Sequence, residues 1–186
     1  MISLLVEGFL KKENGRLLEA HSTVTAVTSD DFILLVDTSS KEYRSRLLDG
    51  LKHAGIKAED VDVLILTHSH DDHTANTDLF PNAEIMMHPL EESGIPCRRV
   101  HDNEEILPGI RILHTPGHTA GSISVLVEDE RCVIAGDAIP TEDNILKNLP
   151  PGINIGRDLA MASMHRILST ADSIIPGHGR KIDLRV

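Results

Sequence analysis

The chain has 186 residues, 40% of them hydrophobic and 25% charged, enough for one substantial core but crowded for two, so a single domain over residues 1–186 is expected. Aromatic residues are only 2%, Trp is absent, and 29 acidic against 18 basic residues leave a formal charge of −11; base stacking and phosphate binding are poorly supplied, which disfavours a nucleic-acid partner. The apolar run from Ile2 to Val6 is broken by Glu7, no later run approaches membrane-spanning length, and Cys97 and Cys132 do not make a secreted disulfide framework, so a cytoplasmic protein with no membrane partner is expected.

From the N-terminus, the segments Ser3 to Gly8, Thr23 to Thr28 and Phe32 to Asp37 read as strands. A helix follows from about Lys41 to Ala54, with Tyr43, Leu47, Leu48 and Leu51 as its apolar stripe and Gly55 as its stop. The β-branched, mostly apolar stretch from Val61 to Leu66 predicts a buried strand running directly into Thr67-His68-Ser69-His70. Further strands are predicted at Ala83 to Met87, Ile110 to His114, Ser122 to Val127 and Cys132 to Ala135. A helix from about Arg157 to Leu168 turns Ala160, Met164, Ile167 and Leu168 inward, and a last short strand, Ser173 to Ile175, leads into Pro176-Gly177-His178-Gly179. Periodicity thus gives a mixed α/β chain with strands in two blocks, each followed by helix.

Histidine is the anomaly of the composition, with eleven present and several tightly clustered. His68-x-His70-x-Asp72-His73 packs four candidate ligands into six residues after a predicted buried strand. His68 and His70 project alike while the chain is extended, and a turn after them lets Asp72 and His73 face a second point a short way off, so the motif suggests two metal ions. Three later segments each end a short strand in a small-residue loop that presents one ligand: Thr115-Pro116-Gly117-His118, Ala135-Gly136-Asp137 and Pro176-Gly177-His178-Gly179. Taken singly each is a turn; taken in order they form a pattern.

That order, from Thr67 to Gly179, resembles the metallo-β-lactamase superfamily. The resemblance implies a four-layer αββα sandwich, a first metal held by His68, His70 and His118, a second held by Asp72, His73 and His178, and Asp137 bridging the two. It also implies a hydrolase that works through a metal-bridging hydroxide, with Asp72 orienting it and accepting its proton. All-nitrogen and oxygen ligation suits two divalent cations, zinc first, with iron and manganese as alternatives. Cys132 lies inside an apolar strand and reads as core rather than as the Cys ligand of β-lactam-hydrolysing relatives. His70 stands where flavodiiron proteins usually carry Glu. The sequence stops at Val186, eight residues past His178, so the glutathione-binding helical domain of glyoxalase II is not expected. In layout the chain is most similar to the metallo-β-lactamase domain-containing protein 1 group, whose association with RNA cleavage fits poorly with the acidity here. The expected substrate is therefore a small ester, lactone or thioester. The alternatives are a phosphodiesterase or ribonuclease of the same fold, a mononuclear iron oxygenase similar to persulfide dioxygenases, and a non-catalytic metal-binding module. His114 reads first as structural, and Thr119 and Ser122 as backbone-bonding hydroxyls able to orient ligands. The stretch from Pro140 to Asn154 is expected to wall the site as a loop.

Overall fold

The computed structural model describes residues 1–13 and 16–184. In the first half the chain forms β1 (Ile2–Val6), β2 (Phe9–Glu13), β3 (Arg16–His21), β4 (Val24–Thr28), β5 (Ile33–Val36), α1 (Arg44–His53), β6 (Val63–Ile65), α2 (Asp71–Thr74), β7 (Glu84–Met87) and β8 (Arg98–Arg99). The second half forms β9 (Glu105–Leu107), β10 (Ile110–His114), β11 (Ile123–Val127), β12 (Cys132–Gly136), α3 (Glu142–Leu146), α4 (Arg157–Thr170), β13 (Ser173–Pro176) and β14 (Ile182–Asp183). Two six-stranded sheets result, ordered β1-β4-β5-β6-β7-β8 and β14-β13-β12-β11-β10-β9, with β2 and β3 paired as a separate ribbon.

Alternation along the strands decides how these sheets stack. Leu34, Val36, Val63 and Ile65 of the first sheet share one core with Ile112, Ile123, Val125 and Ile134 of the second. Their neighbours Leu35, Leu64 and Leu66 turn to the opposite face and pack with Leu47 and Leu51 of α1. On the outer face of the second sheet Leu113, Val133, Ala135 and Ile174 pack with Met164 and Ile167 of α4. The layers therefore run helix, sheet, sheet, helix, the expected αββα sandwich. Each fully buried Leu or Ile contributes roughly 1.5–3 kcal/mol.

Several local features differ from the sequence reading. Leu48 is 45% exposed, because Leu47 and Leu51, four residues apart, take the sheet-facing side and Leu48 is turned about 100° round the helix from Leu47. Tyr43 lies in a 3-10 turn ahead of α1 and stacks on His21, ring centroids 3.7 Å apart. The ribbon of β2 and β3 was not anticipated, since both its faces are largely exposed and carry no hydrophobic alternation. The stretch from Pro140 to Asn154 contains α3, opened by a capping box between Thr141 and Asn144. Among the described residues no helix is long and apolar enough to cross a membrane.

The two sheets are pinned together where the candidate ligands lie. Ile123 N–H donates to Thr67 O at 2.9 Å, and Thr23 N–H to Gly177 O at 2.7 Å. Parallel pairing of β5 with β6 and of β12 with β13 brings Asp37 beside Thr67, and Asp137 beside the turn that carries His178.

Candidate metal centre

All seven sequence-predicted residues come together at this end of the sandwich, in three overlapping groups: His68, His70 and His118; His68, His73 and Asp137; Asp72, His73 and His178. Within each group one candidate ligand atom per residue lies within 4.8 Å of the others. His70 sits just ahead of α2, and this single helical turn swings Asp72 and His73 away from the point that His68 and His70 face. Gly136 is required for Asp137 to reach the centre: its φ is +51°, and a Cβ there would lie 2.7 Å from Thr67 Cβ and Oγ1.

The geometry fits metal ions. His70 Nδ1 lies 3.0 Å from both His68 Nε2 and His118 Nε2, close to the separation of about 3.3 Å between ligands placed tetrahedrally at zinc–nitrogen distances of about 2.0–2.1 Å. Asp137 turns Oδ1 toward His178 Nε2 (3.2 Å) and His73 Nε2 (3.5 Å), and Oδ2 toward His118 Nε2 (3.5 Å). Asp72 Oδ2 lies 3.7 Å from His178 Nε2 and 3.9 Å from His73 Nε2. His73 Nε2, His178 Nε2 and Asp137 Oδ1 are buried without a hydrogen-bond partner, an arrangement costing about 1–3 kcal/mol per atom unless something else is bound. A divalent cation is the partner that neutral imidazoles and carboxylates share.

The opposite edges of the rings are already committed. His118 Nδ1–H donates to Ile153 O at 2.8 Å and His178 Nδ1–H to His21 O at 2.9 Å. Since a carbonyl only accepts, the inward Nε2 of each ring is left as the lone-pair nitrogen. His73 Nδ1 pairs with Asp37 Oδ2 at 2.8 Å. Asp37, 2% exposed, also accepts from Thr67 N–H at 2.8 Å and from Thr67 Oγ1–H at 2.9 Å. Sequence reasoning missed Asp37, because its place at the end of an apolar strand does not reveal what its carboxylate meets. His114 lies apart from the ligand groups, stacked on His88 with ring centroids 4.1 Å apart and donating from Nε2 to Ala120 O at 2.9 Å. Cys132 is fully buried in the core between the sheets.

Charges inside the cluster are strongly coupled. Burial works against the charged form of Asp137, but the His178 and His73 rings outweigh it and hold its carboxyl well below the usual carboxylate range. Burial likewise opposes protonation of His73, yet Asp37 and Asp137 raise it well above the ordinary imidazole value. Burial and then the neighbouring His73 push His68 far down, and burial also lowers His118 against the pull of Asp137. Over the centre lies a small pocket of about 60 Å³, lined by His70, Asp72, His118, Asp137 and His178 together with Leu10, Leu17, Ala20, Pro140, Pro151 and Ile153. A wider cleft of about 660 Å³ adjoins it, between the β2–β3 ribbon and the α3 region.

Metal-dependent hydrolysis is the chemistry to which this fold and this ligand cage point, and known proteins agree. The probable metallo-hydrolase of Methanocaldococcus jannaschii is 38% identical over 96% of this chain and 86% of its own length. Residues 18–95 and 98–178 match the metallo-beta-lactamase superfamily, and the chain belongs to it. Metallo-beta-lactamase domain-containing protein 1 of Xenopus laevis is 34% identical over 96% of this chain and 79% of its own. An N-acyl homoserine lactonase of a Bacillus species is 30% identical over 66% of this chain and 56% of its own. A crystal structure of a quorum-quenching N-acyl homoserine lactone lactonase superposes with a TM-score of 0.74 at 20% identity, covering 95% of this chain and 90% of that one.

Proposed function

We propose that the chain holds two divalent cations, zinc first, and hydrolyses a small ester, lactone or thioester. His68, His70 and His118 would hold one ion and Asp72, His73 and His178 the other. The observation that carries this reading is Asp137, whose two oxygens face the two ligand sets from between them. Bound cations of this kind acidify water and polarise a carbonyl oxygen.

The side chains supply the rest. Asp72 is 25% exposed, far more open than Asp137 at 9%, so it faces the pocket and is placed to orient water and take up its proton. The pocket over the ligands has room for one reacting group, and its apolar walls Leu10, Leu17, Pro151 and Ile153 shelter an acyl or alkyl portion. In the wider cleft Lys12, Lys147 and Arg180 are offset by Glu7, Glu142 and Asp143, which gives a polyanion no one-signed groove to follow. A lactone is also the substrate class named for one of the relatives.

The test is a panel of thioesters, lactones, a cephalosporin, bis-aryl phosphodiesters and single-stranded RNA, run beside Asp137→Ala as the contamination control. Turnover of thioesters or lactones that is lost in the variant supports the reading. RNA cleavage by the wild type alone, with every carbonyl substrate untouched, replaces it with the nuclease. Elemental analysis of metal-replete protein should give close to two ions per chain, and an occupancy that never exceeds one removes the binuclear centre.

A further inference from the structure

Glu91 lies four residues beyond the end of β7 and is 3% exposed. Its Oε2 accepts from Ser69 N–H at 2.8 Å. Its Oε1 accepts from Gly121 N–H at 3.0 Å and from the Thr119 hydroxyl. Ser69 stands between His68 and His70, while Thr119 follows His118 directly and Gly121 lies three residues after it. One buried carboxylate thus places an oxygen on each of the two loops that carry His68, His70 and His118, loops that come from different sheets.

The surroundings hold Glu91 to this task. Its backbone is fixed by its own N–H, which donates to His88 O at 3.0 Å, and by Arg99 Nη1, which donates to Glu91 O at 3.2 Å. The His118 loop closes so tightly onto it that a Cβ on Gly121 would lie 2.8 Å from Glu91 N, Cγ and Oε1. Ser122 Oγ accepts from Thr119 N–H at 3.1 Å and lies 2.6 Å from Thr119 Oγ1, which keeps the Thr119 hydroxyl turned to Glu91. Three donors converge on the side chain, and only a carboxylate offers acceptors at both ends.

We propose that Glu91 is a positioning residue for the ligand set of His68, His70 and His118: its carboxylate clamps the Ser69 and Gly121 backbones and so holds the three ring nitrogens at the spacing one cation needs. The inference rests on the metal reading above. Glu91→Gln would turn an amide N–H₂ toward one of the two backbone N–H groups, opposing donor to donor and freeing one loop. Glu91→Asp, shorter by one methylene, would not span both loops.

The experiment is a zinc competition titration of metal-stripped protein against a chromophoric chelator. In Glu91→Gln and Glu91→Asp one zinc equivalent should weaken by about 10–100-fold while the other stays within about 3-fold, and the exposed neighbour control Glu92→Gln should match wild type. Both equivalents unchanged, or both weakened alike, would overturn the proposal. If Glu91→Gln does not fold, Ser122→Ala decides: a loss of about 10-fold at one equivalent supports the clamp, and a change within about 3-fold at both refutes it. Wild-type protein that takes up no zinc, manganese or iron removes the metal reading itself, and the clamp with it.

Discussion

Replacing Asp37 by Asn tests how far the centre depends on groups behind its ligands. The side chain is buried and its backbone is left-handed at φ +60°, a conformation Asn also adopts, so the exchange adds no backbone strain. Oδ1 must remain oxygen, because Thr67 N–H is a pure donor. The new amide nitrogen then replaces Oδ2, 2.8 Å from His73 Nδ1 and 2.9 Å from Thr67 Oγ1. The threonine hydroxyl can rotate and accept, but a neutral His73 loses its 2.8 Å acceptor: it must either leave its Nδ1–H facing an N–H, with only a 3.4 Å contact to Thr67 Oγ1, or move that proton to Nε2. The first choice strands a buried donor at about 1–3 kcal/mol. The second protonates the nitrogen with which His73 would hold the proposed cation. We expect urea unfolding of the metal-free variant to show a loss of about 1–3 kcal/mol. Zinc competition should show a loss of about 10–100-fold at the equivalent that uses His73. Asp37→Ala, which leaves Thr67 N–H without its acceptor and His73 Nδ1 with only Thr67 Oγ1 at 3.4 Å, should cost at least as much. An Asp37→Asn protein with wild-type stability and wild-type affinity at both equivalents would refute this account of the ring's orientation.

Three further outcomes follow from the packing and from a buried histidine. Gly136→Ala combines positive-φ strain with a Cβ 2.7–2.9 Å from Thr67 atoms and should destabilise by roughly 2–4 kcal/mol in urea melts; a loss under about 0.5 kcal/mol would show that the Thr67 contact yields freely. Met164→Ala empties a fully buried site between α4 and the second sheet and should cost about 2–5 kcal/mol by the same assay, with metal content unchanged. Burial, then the His114 and His101 rings, pull His88 down to about 4. Its unfolded form binds a proton near 6.5 that the folded form refuses, so stability should fall as the pH drops from about 6.5 to 4 and show no contribution from this group above that range. His88→Asn should flatten that part of the melting temperature against pH profile, and an unchanged profile would assign the slope to other groups.

The candidate ligands were legible because their chemistry is confined to few residue types and their placement to few local geometries. His68, His70, Asp72 and His73 follow one another at the exit of an apolar strand, and His118, Asp137 and His178 each sit beside a glycine that permits the turn. The layers were legible for a similar reason, since strand alternation and helical periodicity record which face is dry. Leu48 shows the limit, because an apolar residue one position off the stripe is assigned to a face only once the helix has docked. Asp37 and Glu91 lie further beyond reach. A carboxylate reads alike whether it meets water or two backbone amides, and the donors meeting Asp37 lie 30 and 36 residues away and those meeting Glu91 between 22 and 30. The sequence by itself determined which atoms can bind metal and that they follow strand ends. Only the tertiary structure decided which ring nitrogen faces inward and which carboxylate stands behind it, because a hydrogen bond exists only when the chain has brought donor and acceptor within about 3 Å.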